Sequence, residues 1–228
     1  MNPVVQVRGL RYAYEDGTEA LKGIDFDLQP GECVALLGAN GSGKTTFALH
    51  LNGLLRASGG TVVVDGLEVR EENLKEIRRR VGLVFQDSES QLFMPTVLED
   101  AAFAPLAAGV AEKVALERAR RALEQVGMAH KAHKAPWHLS AGEKKRVAIA
   151  GILAEEPKVL VLDEPTTFLD PPGQRGLAEL LASLPQAKIL ITHDVAFAGR
   201  LCSSAVFFQE GRIAARGGIT AIVHEFHW

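Results

Sequence analysis

The sequence has only two cysteines, Cys33 and Cys202, in 228 residues. So distant a pair makes neither a zinc-ligand spacing nor a Cys-x-x-Cys redox motif, and in a cytosolic chain the two are expected to be reduced, structural thiols. Long apolar runs are missing too. The stretch Ala101 to Ala111 is interrupted by Pro105 and Gly109 and falls far short of the roughly 20 residues that span a bilayer, which excludes a channel built from this chain's own helices. Met1 to Gly9 carries polar and charged residues inside its apolar pattern instead of a signal peptide's continuous core, so a cytosolic location is expected. No block of like charge stands out. The 25 basic and 28 acidic residues leave a formal net charge of −3, which offers no bulk attraction to nucleic acid. Internal repeats and low-complexity linkers are also missing.

What is present reads as one α/β domain, with 47% hydrophobic and 23% charged residues and length enough for a substantial insert. Val5 and Val7 predict one strand; Ile24, Phe26 and Leu28 line one face of another, closed by a Pro30-Gly31 turn. Val34 to Leu37 form a short, wholly apolar strand suited to the centre of a sheet buried on both faces. A helix follows from about Lys44 to Asn52, ended by Gly53. Further strands are predicted at Thr61 to Val64 and Val81 to Phe85, after which about seventy residues change to helical patterning. In that part Val114, Ala119, Leu123 and Val126 fall near helical spacing, Glu117 and Arg121 make an i,i+4 pair, and Gly127 terminates. Strands resume at Val159 to Leu162 and Ile189 to Thr192, and Ala205 to Phe208 with Arg212 to Ala215 predict a hairpin turning at Glu210-Gly211.

The segment Gly38-Ala39-Asn40-Gly41-Ser42-Gly43-Lys44-Thr45 fits G-x-x-x-x-G-K-[ST] and lies between a buried strand and a helix, the context that gives the motif its meaning. Its glycines let the backbone bend so that amides and the helix N-terminus face phosphate oxygens; Lys44 adds charge and Thr45 a hydroxyl ligand for magnesium. The strand Val159 to Leu162 ends in Asp163-Glu164, at the carboxyl end where open α/β sheets bind ligands. Asp163 is placed to hold magnesium through water, and Glu164 to polarise the water that attacks a γ-phosphate.

The segment Leu139-Ser140-Ala141-Gly142-Glu143, ahead of a basic helix, closely resembles the signature sequence of ABC transporter nucleotide-binding domains. By its own chemistry Ser140 caps the helix running through Ile149, with Glu143 placed to complete a capping box. The resemblance implies that Ser140, Ala141 and Gly142 contact the γ-phosphate held by a partner domain's phosphate loop, in a head-to-tail homo- or heterodimer. The family form has glycine at Ala141 and glutamine at Glu143, so this chain departs twice.

Further motifs carry the same resemblance. Gln86, after Val84-Phe85, resembles the family's Q-loop glutamine, which senses magnesium and links to the membrane subunit. With Gln91-Leu92-Phe93, Val97, Glu99-Asp100 and Ala102-Phe103, the stretch is similar to the ATPases of energy-coupling-factor importers, including cobalt and nickel systems. His193 resembles the H-loop histidine, and Phe168-Leu169-Asp170 the D-loop that crosses the dimer interface, with Phe168 where a small residue is common. Tyr14 resembles the aromatic residue that stacks on adenine, and Tyr12 competes with it because residues two apart on a strand face the same side.

The resemblance implies a P-loop NTPase of the ABC-ATPase type: a mixed-sheet core, an antiparallel N-terminal β part and an inserted helical subdomain. Core and β part are expected over about 1–86 and 157–217, helices over about 87–156, and a short tail over 218–228. The site is expected to bind ATP and Mg2+. Lys44, Gln86, Glu164 and His193 would carry catalysis, Thr45, Gln86 and Asp163 the metal, and Tyr14, Gly38 to Thr46, Ser140 to Gly142 and Asp170 the nucleotide. Implied partners are a second ATPase subunit and an integral membrane subunit, at the cytoplasmic face of a membrane, for import of cobalt, nickel or a vitamin. Two rival readings are a soluble ABC-type ATPase unconnected with transport and a regulatory module of weak turnover. His130, His133 and His138, with His224 and His227, read as a solvated connection and a polar tail.

Overall fold

The structure, a computed structural model, describes residues 2–87 and 89–228; Met1 and Ser88, which fall within the expected β part and helical segment, lie outside them. In chain order the elements are β1 (Val5–Ala13), β2 (Glu19–Leu28), β3 (Cys33–Leu37), α1 (Lys44–Leu51), β4 (Gly59–Val64), β5 (Leu67–Glu68), α2 (Leu74–Arg80) and β6 (Val81–Val84). Then come α3 (Val97–Ala107), α4 (Glu112–Gln125), α5 (Ala141–Leu153), β7 (Val159–Asp163), α6 (Pro171–Ser183), β8 (Ala187–Ile191), α7 (Val195–Leu201), β9 (Ser204–Gln209), β10 (Arg212–Gly218) and α8 (Ile219–Glu225).

Two sheets result. A six-stranded sheet runs β10-β9-β3-β8-β7-β6 and a four-stranded one β2-β1-β4-β5. In the larger sheet all neighbours are parallel except the β9–β10 hairpin, whose turn residues Glu210 and Gly211 both have positive φ. The smaller sheet is antiparallel throughout.

Apart from Asp163 at the end of β7 and Lys188 of β8, whose buried ammonium donates to the Leu184 and Gln186 carbonyls, the central strands are apolar because both of their faces are covered. Alternate residues sort between two cores. Val34, Leu36, Val159, Val161, Ile189, Ile191, Val206 and Phe208 pack with α1 and the antiparallel sheet. Ala35, Leu37, Leu160, Leu162, Leu190, Ala205 and Phe207 pack with α3 to α8 on the other face.

The helical part differs from expectation in detail. The buried stripe of α4 is Ala115, Ala119, Ala122 and Leu123, whereas Val114 is 40% exposed. Val114 lies one position off the stripe, about 100° around the helix. Arg121 reaches toward Glu156, at 3.9 Å, on the segment that leads into β7. His130, His133 and His138 are exposed. Ser140 accepts from the Glu143 amide while the Glu143 carboxylate accepts from Ser140 N, completing the capping box on α5.

Two expectations are corrected. Cys33 and Cys202 are joined as a disulfide, their Cα atoms 4.7 Å apart. The cause is topological: β3 pairs with β9 with Val34 opposite Ser204, so the residues just before that pair become neighbours. The segment 218–228 is not a free polar tail. Ile219, Ile222, Val223 and Phe226 recur at helical spacing and pack against the core as α8, with Ile222 only 2% exposed.

Asp100 on α3 holds the preceding loop, its buried carboxylate accepting from the amides of Phe93 and Met94 at 3.0 Å each. Burial raises its pKa above the ordinary carboxylate value, and those two amide bonds only partly oppose the shift. A folded-state pKa raised above the unfolded one contributes stability at low pH that is lost as pH rises through the folded value. Thermal unfolding of wild type and Asp100→Asn between pH 4 and 8 is therefore expected to move the difference in Tm steadily toward the variant as pH rises. A constant difference would show that the carboxyl titrates alike in both states.

Candidate functional site

The parallel strands β3, β7 and β8 end together, and beyond their carboxyl ends lies a cleft of about 760 Å³. The turn after β3 supplies its floor. Gly38 has φ 130°, and a Cβ there would sit 2.1 Å from the Phe208 carbonyl oxygen, so only glycine lets the loop leave β3 beside β9. Gly43, at φ 107°, stands before α1, where a Cβ would come within 2.8 Å of the Ala20 carbonyl. Among the described residues no side chain caps α1, and Gly43, Lys44 and Thr45 line the cleft at its N-terminus. This suits the positive end of a helix to an anion.

Lys44 is folded back over the loop. Its ammonium donates to the carbonyls of Gly38 and Ala39 at 2.6 and 2.9 Å and to Ser42 Oγ at 3.4 Å. Burial pulls its pKa below the ordinary lysine value, while Glu164 and Asp163 oppose that shift. Asp163, at the end of β7, accepts from Thr45 Oγ1 at 2.9 Å, tying the two arms of the cleft together. Its carboxyl is pushed up by burial and held down by Thr45, Lys44, His193 and Lys145.

Glu164 follows with φ 44°, a left-handed conformation costly for a side chain of its size. That backbone turns its carboxylate toward β8: Oε2 accepts from Thr192 Oγ1 at 3.3 Å and from the His193 amide at 3.4 Å. Among the described residues Oε1 is buried without a hydrogen-bond partner, 3.3 Å from His193 Nε2. The imidazole Nε2 instead pairs with Asn40 Oδ1 at 2.9 Å, so the ring bridges the phosphate loop and the strand-end carboxylate.

Tyr14 lines the cleft, is 41% exposed, and sets its hydroxyl 2.8 Å from Thr46 Oγ1. Tyr12 instead turns its ring edge-on to the buried His50 of α1, at 4.8 Å. The two rings meet edge to face at 5.0 Å, as residues two apart on an extended segment can, and it is Tyr14, the outer of the two, that lines the cleft. Gln86 and Gly41 also line the cleft.

Ser140, Ala141, Gly142 and Asp170 stand apart from this group. They line a separate concavity with Glu143, Arg146, Phe168 and Leu169. Asp170 caps α6 through Gly173 N, and Phe168 is 78% exposed at φ 65°. Ala141 is the first residue of α5, where its methyl group is accommodated, and the Glu143 carboxylate is engaged by the Lys131 ammonium and the Ser140 amide. Those contacts, Lys131 first, hold its pKa below the ordinary range.

Sequence reasoning missed Lys145. This side chain of α5 is 2% exposed, and its ammonium donates to the carbonyls of Phe85 and Gln86 at 3.3 and 2.8 Å. The available signal was a lysine at i+4 from Ala141, on the face of α5 that also buries Ala148 and Ile149.

A family model described as ABC transporter matches residues 21–167. A putative ABC transporter ATP-binding protein of Streptomyces avermitilis is 52% identical over 94% of this chain and 82% of its own length. An energy-coupling factor transporter ATP-binding protein, EcfA, of Methanosphaera stadtmanae is 47% identical over 95% and 80%. Among solved structures, cbiO1 of Clostridium perfringens, described as part of the ABC transporter complex cbiONQ, superposes with a TM-score of 0.89 at 37% identity, covering 99% of this chain and 92% of that one. A dimeric ATP-binding cassette, MJ0796, bound to ADP and Pi gives a TM-score of 0.82 at 26% identity, over 94% and 98%. With a phosphate loop, paired carboxylates and a bridging histidine around one cleft, the chain belongs to the ABC transporter family as an ATP-binding and ATP-hydrolysing subunit.

Proposed function

We propose that this chain is the motor subunit of an importer of the energy-coupling-factor type, in which ATP closes a dimer of such subunits and a membrane partner takes up a metal ion or vitamin. The observation that carries the hydrolytic part is Glu164 Oε1, a buried carboxylate oxygen without a hydrogen-bond partner, in the same cleft as the phosphate loop. A carboxylate oxygen so placed is a ready acceptor for a proton of an attacking water. Lys44 and the α1 amides bind the phosphates, Tyr14 offers its ring to the base, and His193 is placed to hydrogen-bond the γ-phosphate from the Asn40 side.

Magnesium fits the donor set: a neutral hydroxyl, Thr45, and an anionic oxygen, Asp163, 2.9 Å apart, are the hard ligands that cation prefers. When bound it neutralises charge on the β- and γ-phosphates. Gln86, held by Lys145 from α5, would pass that occupancy to the helical segment 87–156, the part we assign to membrane docking. The separate concavity of Ser140, Ala141, Gly142 and Asp170 supports a dimer, because these residues share no lining with this chain's own phosphate-loop cleft and would instead meet a partner's nucleotide. We place the assembly at the cytoplasmic face of a membrane. Among the described residues no helix is long and apolar enough to cross it, so the spanning part is assigned to the partner.

Magnesium-dependent ATP hydrolysis by the purified chain is expected to rise more steeply than linearly with protein concentration. Glu164→Gln should lower turnover by about 100-fold or more while an ATP-bound dimer accumulates in gel filtration, and Lys44→Ala should abolish ATP binding. Turnover linear in concentration and indifferent to Glu164 would sink the composite-site mechanism. Lys145→Met should lower Tm by several degrees without preventing folding, since it relieves a buried charge but leaves the Phe85 and Gln86 carbonyls without their donor. It should also raise several-fold the magnesium concentration for half-maximal turnover; an unaltered magnesium response would make Lys145 a packing residue.

A further inference from the structure

His193 is touched from outside the cleft by an aromatic side chain far along the chain. Helix α8 docks through Ile222 and lays Phe226 flat on Phe207, ring centroids 4.0 Å apart and planes within 14°. Trp228 then stands edge-on to the same Phe207 at 5.5 Å and 81°. Its amide donates to the Val223 carbonyl at 3.0 Å, which anchors the residue to the last turn of α8. Its indole comes within 5.8 Å of the His193 imidazole at an interplanar angle of 31°.

The imidazole needs such a neighbour. It is 43% exposed, and among the described residues its side chain is held by one hydrogen bond, to Asn40, and by the 3.3 Å approach to Glu164. A ring so exposed, on the short connection between β8 and α7, has other staggered rotamers open to it in solvent. The indole blocks departure on one side, and an aromatic pair of this kind biases such a two-state side chain by roughly two- to tenfold. Packing alone does not require this arrangement, because Phe226 already covers the flat face of Phe207.

We propose that Trp228 is a positioning residue for hydrolysis: it keeps the His193 imidazole over Asn40 and Glu164, so that docking of α8 sets the readiness of the γ-phosphate contact. The proposal rests on the role assigned to His193 above.

The test uses the full chain carrying Trp137→Phe, which leaves Trp228 as its single tryptophan. Trp228→Leu keeps apolar volume but removes the ring, and is expected to lower kcat about fivefold with KM for ATP unchanged; Trp228→Phe should recover at least half of that loss. Trp228 emission should change when ATP is added, and the change should disappear in His193→Gln. Should Trp228→Leu turn over like its parent, or should KM and kcat worsen together with no recovery by phenylalanine, Trp228 only packs. An ATP-induced emission change that persists in His193→Gln overturns the contact. If His193→Gln itself hydrolyses normally, the assignment of the histidine fails and the proposal falls with it; if it is inactive while Trp228→Leu is not impaired, only the tryptophan's role is lost.

Discussion

The site depends on a sheet that has no polar face. Because β3, β7 and β8 are buried on both sides, their lateral positions are fixed by side chains that alternate between two cores, and a slip of one residue would exchange the contents of both. Each buried Val, Leu or Ile contributes on the order of 1.5–3 kcal/mol, so such an exchange of unlike side chains between unlike spaces is severely penalised. With that register locked, the first residues beyond the strand ends have nowhere else to be. The phosphate loop, Asp163 with Glu164, and Thr192 with His193 all occupy this position, which is why residues distant in sequence converge within hydrogen-bond distance.

Convergence brings a cost. Two carboxylates and a lysine share a partly buried cleft, and burial alone pushes Asp163 toward its neutral form and Lys44 toward its own. The opposing terms come from each other and from Thr45, His193 and Lys145. The charges are therefore interdependent, and groups on other elements oppose the shifts that burial imposes on Asp163 and Lys44. Such an arrangement responds to a polyanion with its counter-cation as a unit, because any change at Lys44 alters the field at both carboxylates. The left-handed backbone at Glu164 belongs to the same economy: strain at one residue aims a carboxylate where the sheet alone would not.

Most of this was legible beforehand where a residue type has a single physical use. A glycine loop ending in Lys-Thr between an apolar strand and a helix, or two acids closing a Val-Leu run, states its own geometry, as does the Ser140–Glu143 capping box. What stayed hidden depends on tertiary neighbours. Strand alternation could not separate Tyr12 from Tyr14, because residues two apart face the same side, and only their neighbours do: Tyr12 packs on His50 while Tyr14 lines the cleft. The disulfide of Cys33 with Cys202 followed from the β3–β9 pairing, which spacing along the chain does not encode. Lys145 looked like one more base on a basic helix, and only the packing of α5 against the strand β6 shows that its ammonium reaches two backbone carbonyls. The stripe in α8 is present in the sequence but short, and His224 within it and His227 beyond it give the segment the look of a polar tail.

The two departures from the family's signature can now be weighed by where their atoms go. Glutamine at position 143 would bring a neutral amide to the same capping box, so the carboxylate adds one formal negative charge near the N-terminus of α5. That charge is balanced by the Lys131 ammonium, although Glu143 lines the same concavity as Ser140, Ala141 and Gly142. The capping box engages the Ser140 and Glu143 amides, which leaves the partial positive charge of the rest of the first turn of α5 to face that concavity. Ala141 adds a methyl group in a helical conformation that any residue adopts. Phe168 is the departure with consequences: a large ring, mostly exposed, in a left-handed backbone beside Ala141 and Gly142, stands where two copies would have to close. Its area is too large to leave in water without loss, so a partner surface that accepts it gains by burial, and one that lacks room for it is excluded by overlap. Of the three departures, Phe168 is therefore the one whose side chain stands exposed for a neighbouring surface to meet.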